Sequence, residues 1–235
     1  MKKIKTIFTL SLLLSFVPVT QAQLQTTVNA NNNNLGALAT YGPDGANIGS
    51  TSIVINPPEN IEGSLYLFEE WNNKGVFVTT ADRKLLIRNI NFNIDYGTFE
   101  SQISKDTVFT FSFDNISRVF VNSREFKARF IPSKGLYDVY EVIFENEDFA
   151  ILKKWYIEIR EGSDNPMVNR SNKYVQRSNY YIEQNDALRL FKFKKKNLLQ
   201  LAGDKADEIE AYAKKYRLSF KKEIDVSRMF SYHLK

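Results

Sequence analysis

The sequence predicts a mainly β fold: an antiparallel β-meander, as a curled sheet or a sandwich, with two or three C-terminal helices packed on it. Three observations carry this. From Gly63 to about Phe193 the apolar residues recur with a period of two. Turn-forming clusters interrupt that pattern at intervals too short for crossover helices, so neighbouring strands are expected to be antiparallel. From Lys194 the period changes to 3.6.

The most regular strand is 107–113, where Phe109, Phe111 and Phe113 point one way and Thr110 and Ser112 the other. Comparable runs are 76–80, 85–89, 90–94, 98–103, 126–131, 137–144, 149–159 and 174–182. Between them lie turn sequences: Asn72-Asn73-Lys74-Gly75, Asp95-Tyr96-Gly97, Ser133-Lys134-Gly135, Glu145-Asn146-Glu147-Asp148 and Gly162-Ser163-Asp164-Asn165-Pro166. In the run 149–159, Trp155, Ile157 and Ile159 occupy one face, with Lys154, Tyr156 and Glu158 on a wet one. A porin-like barrel would need a lipid-facing apolar band and a closing strand, whereas this chain closes in helices.

In the C-terminal region Leu198, Leu199 and Leu201 run up to Gly203, a helix stop. Asp204 is expected to cap a helix striped by Ala206, Ile209, Tyr212, Ala213 and Tyr216, and Asp225 one striped by Val226, Met229, Phe230, His233 and Leu234. His233, the single histidine, thereby reads as a packed residue near a helix C-terminus.

Residues 1–22 read as a secretory signal peptide: Lys2, Lys3 and Lys5 precede an apolar run from Ile7 to Val19, then Thr20-Gln21-Ala22, with cleavage expected between Ala22 and Gln23. The apolar run is too short to anchor in a bilayer of roughly 30 Å. A mature chain without a transmembrane segment, periplasmic or extracellular, is expected. Residues 23–62 form an Asn/Gly/Pro-rich leader, with four asparagines at 31–34, Gly42-Pro43-Asp44-Gly45 and Pro57-Pro58. Little in it can build a core, and Ile53, Val54 and Ile55 could pin it to an edge strand. Residues 63–193 make the β domain, and 194–235 a helical cap of the same globular unit.

The net charge of +5 conceals a polarity: residues 189–235 carry +7 and residues 23–188 carry −5. Such separation steers association with oppositely charged partners. Cysteine is absent, which excludes disulfides, thiolate metal sites and cysteine nucleophiles. One histidine removes any site needing two.

The segment Gly63-Ser64-Leu65-Tyr66-Leu67, the aromatic-rich strands, Ser178-Asn179-Tyr180-Tyr181-Ile182, and the closing Leu198-Leu199-Gln200-Leu201 with Asp204-Lys205, Ile209-Glu210 and Lys214-Lys215 are similar to a family of uncharacterised exported β-rich bacterial proteins with no assigned activity. The resemblance spans roughly residues 63–232 and implies location and architecture. It contributes no functional residue.

Several constellations could carry chemistry. Glu69, Glu70 and Glu158 lie near Trp71 and Trp155, as acids beside a sugar-stacking ring would. Glu145, Glu147 and Asp148 with Asn146 could gather oxygens for calcium, although a hairpin tip is commonly acidic. Ser219-Phe220-Lys221-Lys222 contains Ser-x-x-Lys without its companion motifs. Phosphate-cradling and dinucleotide-binding glycine patterns do not occur. Phe191 and Phe193 interleaved with Lys192, Lys194, Lys195 and Lys196 form the candidate partner-binding run. The expected function is therefore non-catalytic: an exported binding or accessory protein of the cell envelope, with no cofactor or metal, meeting an envelope protein or polysaccharide and not nucleic acid. The alternatives are a carbohydrate-binding or carboxylate-based carbohydrate-active protein, and a lipid or small-ligand carrier that uses the eighteen phenylalanines and twelve tyrosines.

Overall fold

The computed structural model describes residues 47–53, 61–162, 171–185 and 187–234 and, as backbone, 28–30. The expected signal peptide, most of the leader and the turn residues 163–166 lie outside the described residues.

The strands are β1 (Val28–Ala30), β2 (Gly49–Ile53), β3 (Ile61–Glu62), β4 (Lys74–Thr79), β5 (Lys84–Arg88), β6 (Ile90–Asn93), β7 (Thr98–Ser104), β8 (Thr107–Phe111), β9 (Ile116–Val121), β10 (Arg124–Ile131), β11 (Leu136–Glu145), β12 (Ala150–Arg160), β13 (Asn172–Gln184) and β14 (Ala187–Phe191). Three helices follow: α1 (Lys195–Ala202), α2 (Ala206–Tyr216) and α3 (Glu223–His233). The fold is mainly β, with the helical region packed on the strands, as the periodicity implies.

The strands form two sheets. The larger runs β1-β5-β4-β9-β10-β11-β12-β13-β14, with β3 beside β13; the smaller runs β2-β8-β7-β6. After β5 the chain leaves the large sheet, builds β6 to β8, and returns as β9 against β4. The meander is thus interrupted by a second layer. Two pairings are parallel, β1 with β5 and β3 with β13, and both come from the leader, whose strands reach their partners across long stretches of sequence instead of through hairpins.

The leader contributes more than its composition suggests. Its β2 pairs antiparallel with β8, and Ile48 is fully buried in the core between the sheets. Asn73, expected in a turn, is buried and donates to the carbonyl of Ile90 at 3.0 Å. Neither expected aspartate caps a helix. Gly203 (φ +55) ends α1 and the chain enters a 3-10 turn at Gly203–Lys205, so α2 starts without a side-chain cap. Helix α3 begins at Glu223, and the Asp225 carboxylate instead accepts from the Ser219 backbone N–H at 2.9 Å.

Register explains where the cores sit. Phe126, Glu141, Lys153, Tyr180 and Phe191 are directly opposed in one row across β10 to β14. Directly opposed residues share a face, as do residues two apart on a strand. Ile151 and Trp155, on either side of Lys153, therefore face the same way, yet they meet different partners. On the Trp155 side, Phe77, Phe92, Phe99, Phe111 and Phe126 pack between the sheets, with Phe77 and Phe111 ring centroids 4.2 Å apart and Phe99 edge-on to Phe126 at 5.1 Å. On the Ile151 side, Phe144 meets Phe230 of α3 edge-on at 5.3 Å, among Leu198, Ile209 and Met229. Each such phenylalanine contributes roughly 1.5–3 kcal/mol by burial. One face of one sheet thus carries two coverings, the small sheet and the helices.

The opposite face is not simply wet. Tyr140, Ala150 and Leu152 are buried there with Tyr181 and Leu188 against them. Beside them Lys127, 3% exposed, sits between Glu145 at 2.5 Å and Glu183 at 2.8 Å, and Arg129 also pairs with Glu183.

Candidate binding cleft

A two-residue turn creates the site. Asn122 and Ser123 both adopt positive φ, 50° and 62°, which is the hairpin turn that matches strand twist. The turn closes the β9–β10 hairpin at Val121 and Arg124. Strand β10 consequently pairs with β11 only as far as Glu125 opposite Val142. Strand β11 continues to Glu145, paired with β12 through Phe144 opposite Ile151 and Glu145 opposite Ala150 after a register shift at Ile143. Among the described residues, Phe144 and Glu145 are left with a strand neighbour on one side only, and Ile143 lies at the shift.

Helix α3 forms the other wall. Asn146 fixes the β11–β12 hairpin to its end, donating from Nδ2 to the Leu234 carbonyl at 3.2 Å. Between these walls lies a cleft of about 1130 Å3, lined by residues 142–145 of β11, by Asn146 and by Ile224, Ser227 and Ser231 of α3. Its lining includes six carboxylates, from Glu125, Glu141, Glu145, Glu147, Asp148 and Glu223, against two guanidiniums, from Arg118 and Arg124.

Behind the cleft runs the polar row between the two cores. Arg124 donates to Glu141 through Nε at 2.6 Å and Nη2 at 2.5 Å, and Trp155 Nε1 donates to Glu141 at 2.9 Å. Lys153 pairs with Glu223 at 2.8 Å, and the Tyr180 hydroxyl donates to the same carboxylate. Burial first, and then the hydrogen bond to Glu223, raises Tyr180 far above an ordinary phenol, so it remains a donor. The Trp155 ring has Lys153 Nζ at 4.0 Å and the Arg124 guanidinium at 5.2 Å from its centroid. At the rim, burial would raise Glu145, but hydrogen bonds from Lys127 and Arg118 outweigh it and hold the carboxylate below its usual range.

The residues singled out in the sequence lie elsewhere or are otherwise engaged. Lys192, Lys194 and Lys196 are exposed around the start of α1, while Lys195 pairs with Glu210 at 2.5 Å and lies over the Phe220 ring. Phe191 and Phe193 turn into the helical core, Phe193 stacking on Tyr180 at 4.5 Å. A smaller hollow of about 530 Å3 between β14 and α1 includes Lys192 and Arg189. Glu69 and Glu70 are exposed; Glu158 is paired with Arg177 at 2.9 Å on the face away from Trp155. Trp71 packs against Tyr66 at 4.7 Å.

In the acidic hairpin, Glu145 is held by Arg118 and Lys127, and the Asn146 side-chain Oδ1 accepts from the backbone N–H of Asp148 and Phe149. Among the described residues no group of three acids and histidines could hold a metal ion, and no helix is long and apolar enough to cross a membrane. Ser219 accepts from the Lys221 N–H in the turn before α3. His233 packs edge-on to Tyr212 at 5.1 Å, with Nδ1 3.5 Å from Glu208.

No family model, curated protein or solved structure matches the chain. The cleft was not foreseen from the sequence. Its one sequence signal is that Glu141 and Lys153 stand at apolar positions of otherwise alternating strands.

Proposed function

We propose that the protein is an exported, non-catalytic binding protein of the bacterial cell envelope, holding another envelope protein in the cleft between β11 and α3. The observation that carries this is the cleft itself: about 1130 Å3, beside a strand segment that among the described residues has a strand neighbour on one side only. An edge of this kind offers its backbone to an extended chain, which favours a macromolecular occupant. The dispersal of Glu69, Glu70 and Glu158 leaves the carbohydrate-cleaving alternative without an assembled pair. The many phenylalanines are used in packing the cores, which weakens the motive for a ligand carrier. The secretory character of residues 1–22 supports an envelope address, and the exposed Lys192, Lys194 and Lys196 give the molecule an oppositely charged end that steers encounter.

The test is photo-crosslinking in cells from p-benzoylphenylalanine placed at Ser231, an exposed position lining the cleft, or at Lys196 on the basic end. The expected outcome is a discrete adduct in envelope fractions from position 231. Adducts from position 196 alone, or a protein that stays in the cytosol, would contradict the reading.

A further inference from the structure

We propose that the cleft takes an extended segment rich in lysine or arginine as an added strand along β11. This deepens the binding role proposed above and rests on it. A sheet edge left without a neighbour is a template for main-chain hydrogen bonding, and a cleft that holds such an edge admits a peptide while excluding another sheet. Residues 143–145, regular at Phe144 and Glu145 and shifted in register at Ile143, offer that edge over about 10 Å at roughly 3.3 Å per residue, between the β9–β10 turn and the Asn146 hairpin.

Helix α3 leaves room for the guest. The residues it turns toward the cleft include Ser227 and Ser231, whose side chains are among the shortest, while Ile224, 78% exposed, offers an apolar contact at the near end. The charge of the guest follows from the lining. Arg118 and Arg124 are already taken by Glu125, Glu145 and Glu141, and Lys153 by Glu223. Glu147 and Asp148 stand exposed at the mouth, and their side chains enter no ion pair among the described residues. A cationic segment would meet these carboxylates without displacing an existing pair; an anionic one would meet repulsion from them and would have to displace a carboxylate from Arg118 or Arg124 to find a cation of the lining.

The experiment titrates the purified full chain with three blocked, fluorescein-labelled decapeptides: alternating Lys and Thr, alternating Glu and Thr, and Lys–Thr with alternate backbone nitrogens methylated. Saturable binding of the first alone is expected, about tenfold weaker in a Glu147→Lys/Asp148→Lys variant, since unpaired rim charges govern encounter. Equal binding of the Glu–Thr peptide, indifference to N-methylation, or no binding of the Lys–Thr peptide overturns the proposal. An adduct from position 231 in cells together with a silent Lys–Thr titration would sink strand addition and leave the binding role standing. Loss of the adduct would remove both.

Discussion

Glu141 and Lys153 face each other across β11 and β12, and each is ion-paired away from the other: Glu141 to Arg124 of β10, Lys153 to Glu223 of α3. The row they form divides the face of the large sheet. On one side the small sheet covers an aromatic core; on the other the helices cover a second. Apolar side chains in this row would fuse the two cores. The charges instead fix where each covering ends, and Glu223, at the start of α3, fastens the helix to the sheet at that boundary.

The first prediction concerns this fastening. Lys153 and Glu223 side chains are 10% and 28% exposed, so their attraction is only partly screened. A double-mutant cycle with Lys153→Met and Glu223→Gln should return a coupling of about 1–3 kcal/mol in urea unfolding. Each single change should also shift Trp155 emission, because Lys153 lies over that ring. Additive effects would mean that the helix is held by its apolar contacts alone.

A second prediction tests the docking of the leader. A Cβ at Gly49 would fall 2.2 Å from the Thr110 carbonyl oxygen and 2.6 Å from the Phe109 ring. Gly49→Ala should cost about 1–3 kcal/mol, as overpacking does, and should open residues 47–53 to limited proteolysis. Unchanged stability and cleavage would show that β2 is not seated against β8.

Acid response provides a third. Hydrogen bonds from Arg129 and Lys127 outweigh burial and keep Glu183 below its usual range, as Lys127 and Arg118 do for Glu145. Their contribution is fully present above the unfolded value of 4.5 and is lost as pH falls through the lowered native values. Glu100 works oppositely. Burial raises it, and the hydrogen bonds from Tyr66 and Asn93 only partly offset the rise. The native state therefore holds this proton more tightly than the unfolded chain, and stability falls as pH rises from 4.5 through the raised value. Glu100→Gln should gain relative to the parent as pH rises above 4.5, with the gain levelling off once pH has passed the raised native value, in urea titrations. A pH-independent difference would place Glu100 in an ordinary solvated setting.

Much of the architecture was legible because strands half-buried on one face alternate, as in β8 and β12, and because the helical stripes of α2 and α3 are regular. Strand β9 was not legible. A register shift between Val78 and Thr79 leaves Ile116, Val119 and Val121 buried, a spacing that hides the alternation. Strand β14, five residues long, was likewise not legible as a run of its own. The cleft was illegible for a different reason. It depends on where β10 stops relative to β11, and on ion pairs spanning 17 and 70 residues of sequence, which only the folded register brings together.

The most direct test is hydrogen–deuterium exchange of the full chain with and without the Lys–Thr decapeptide. Strand addition predicts slowed exchange in residues 143–145, where β11 runs beyond β10. Protection confined to residues 192–197, with 143–145 unchanged, would contradict the account and move the binding surface to the lysine run.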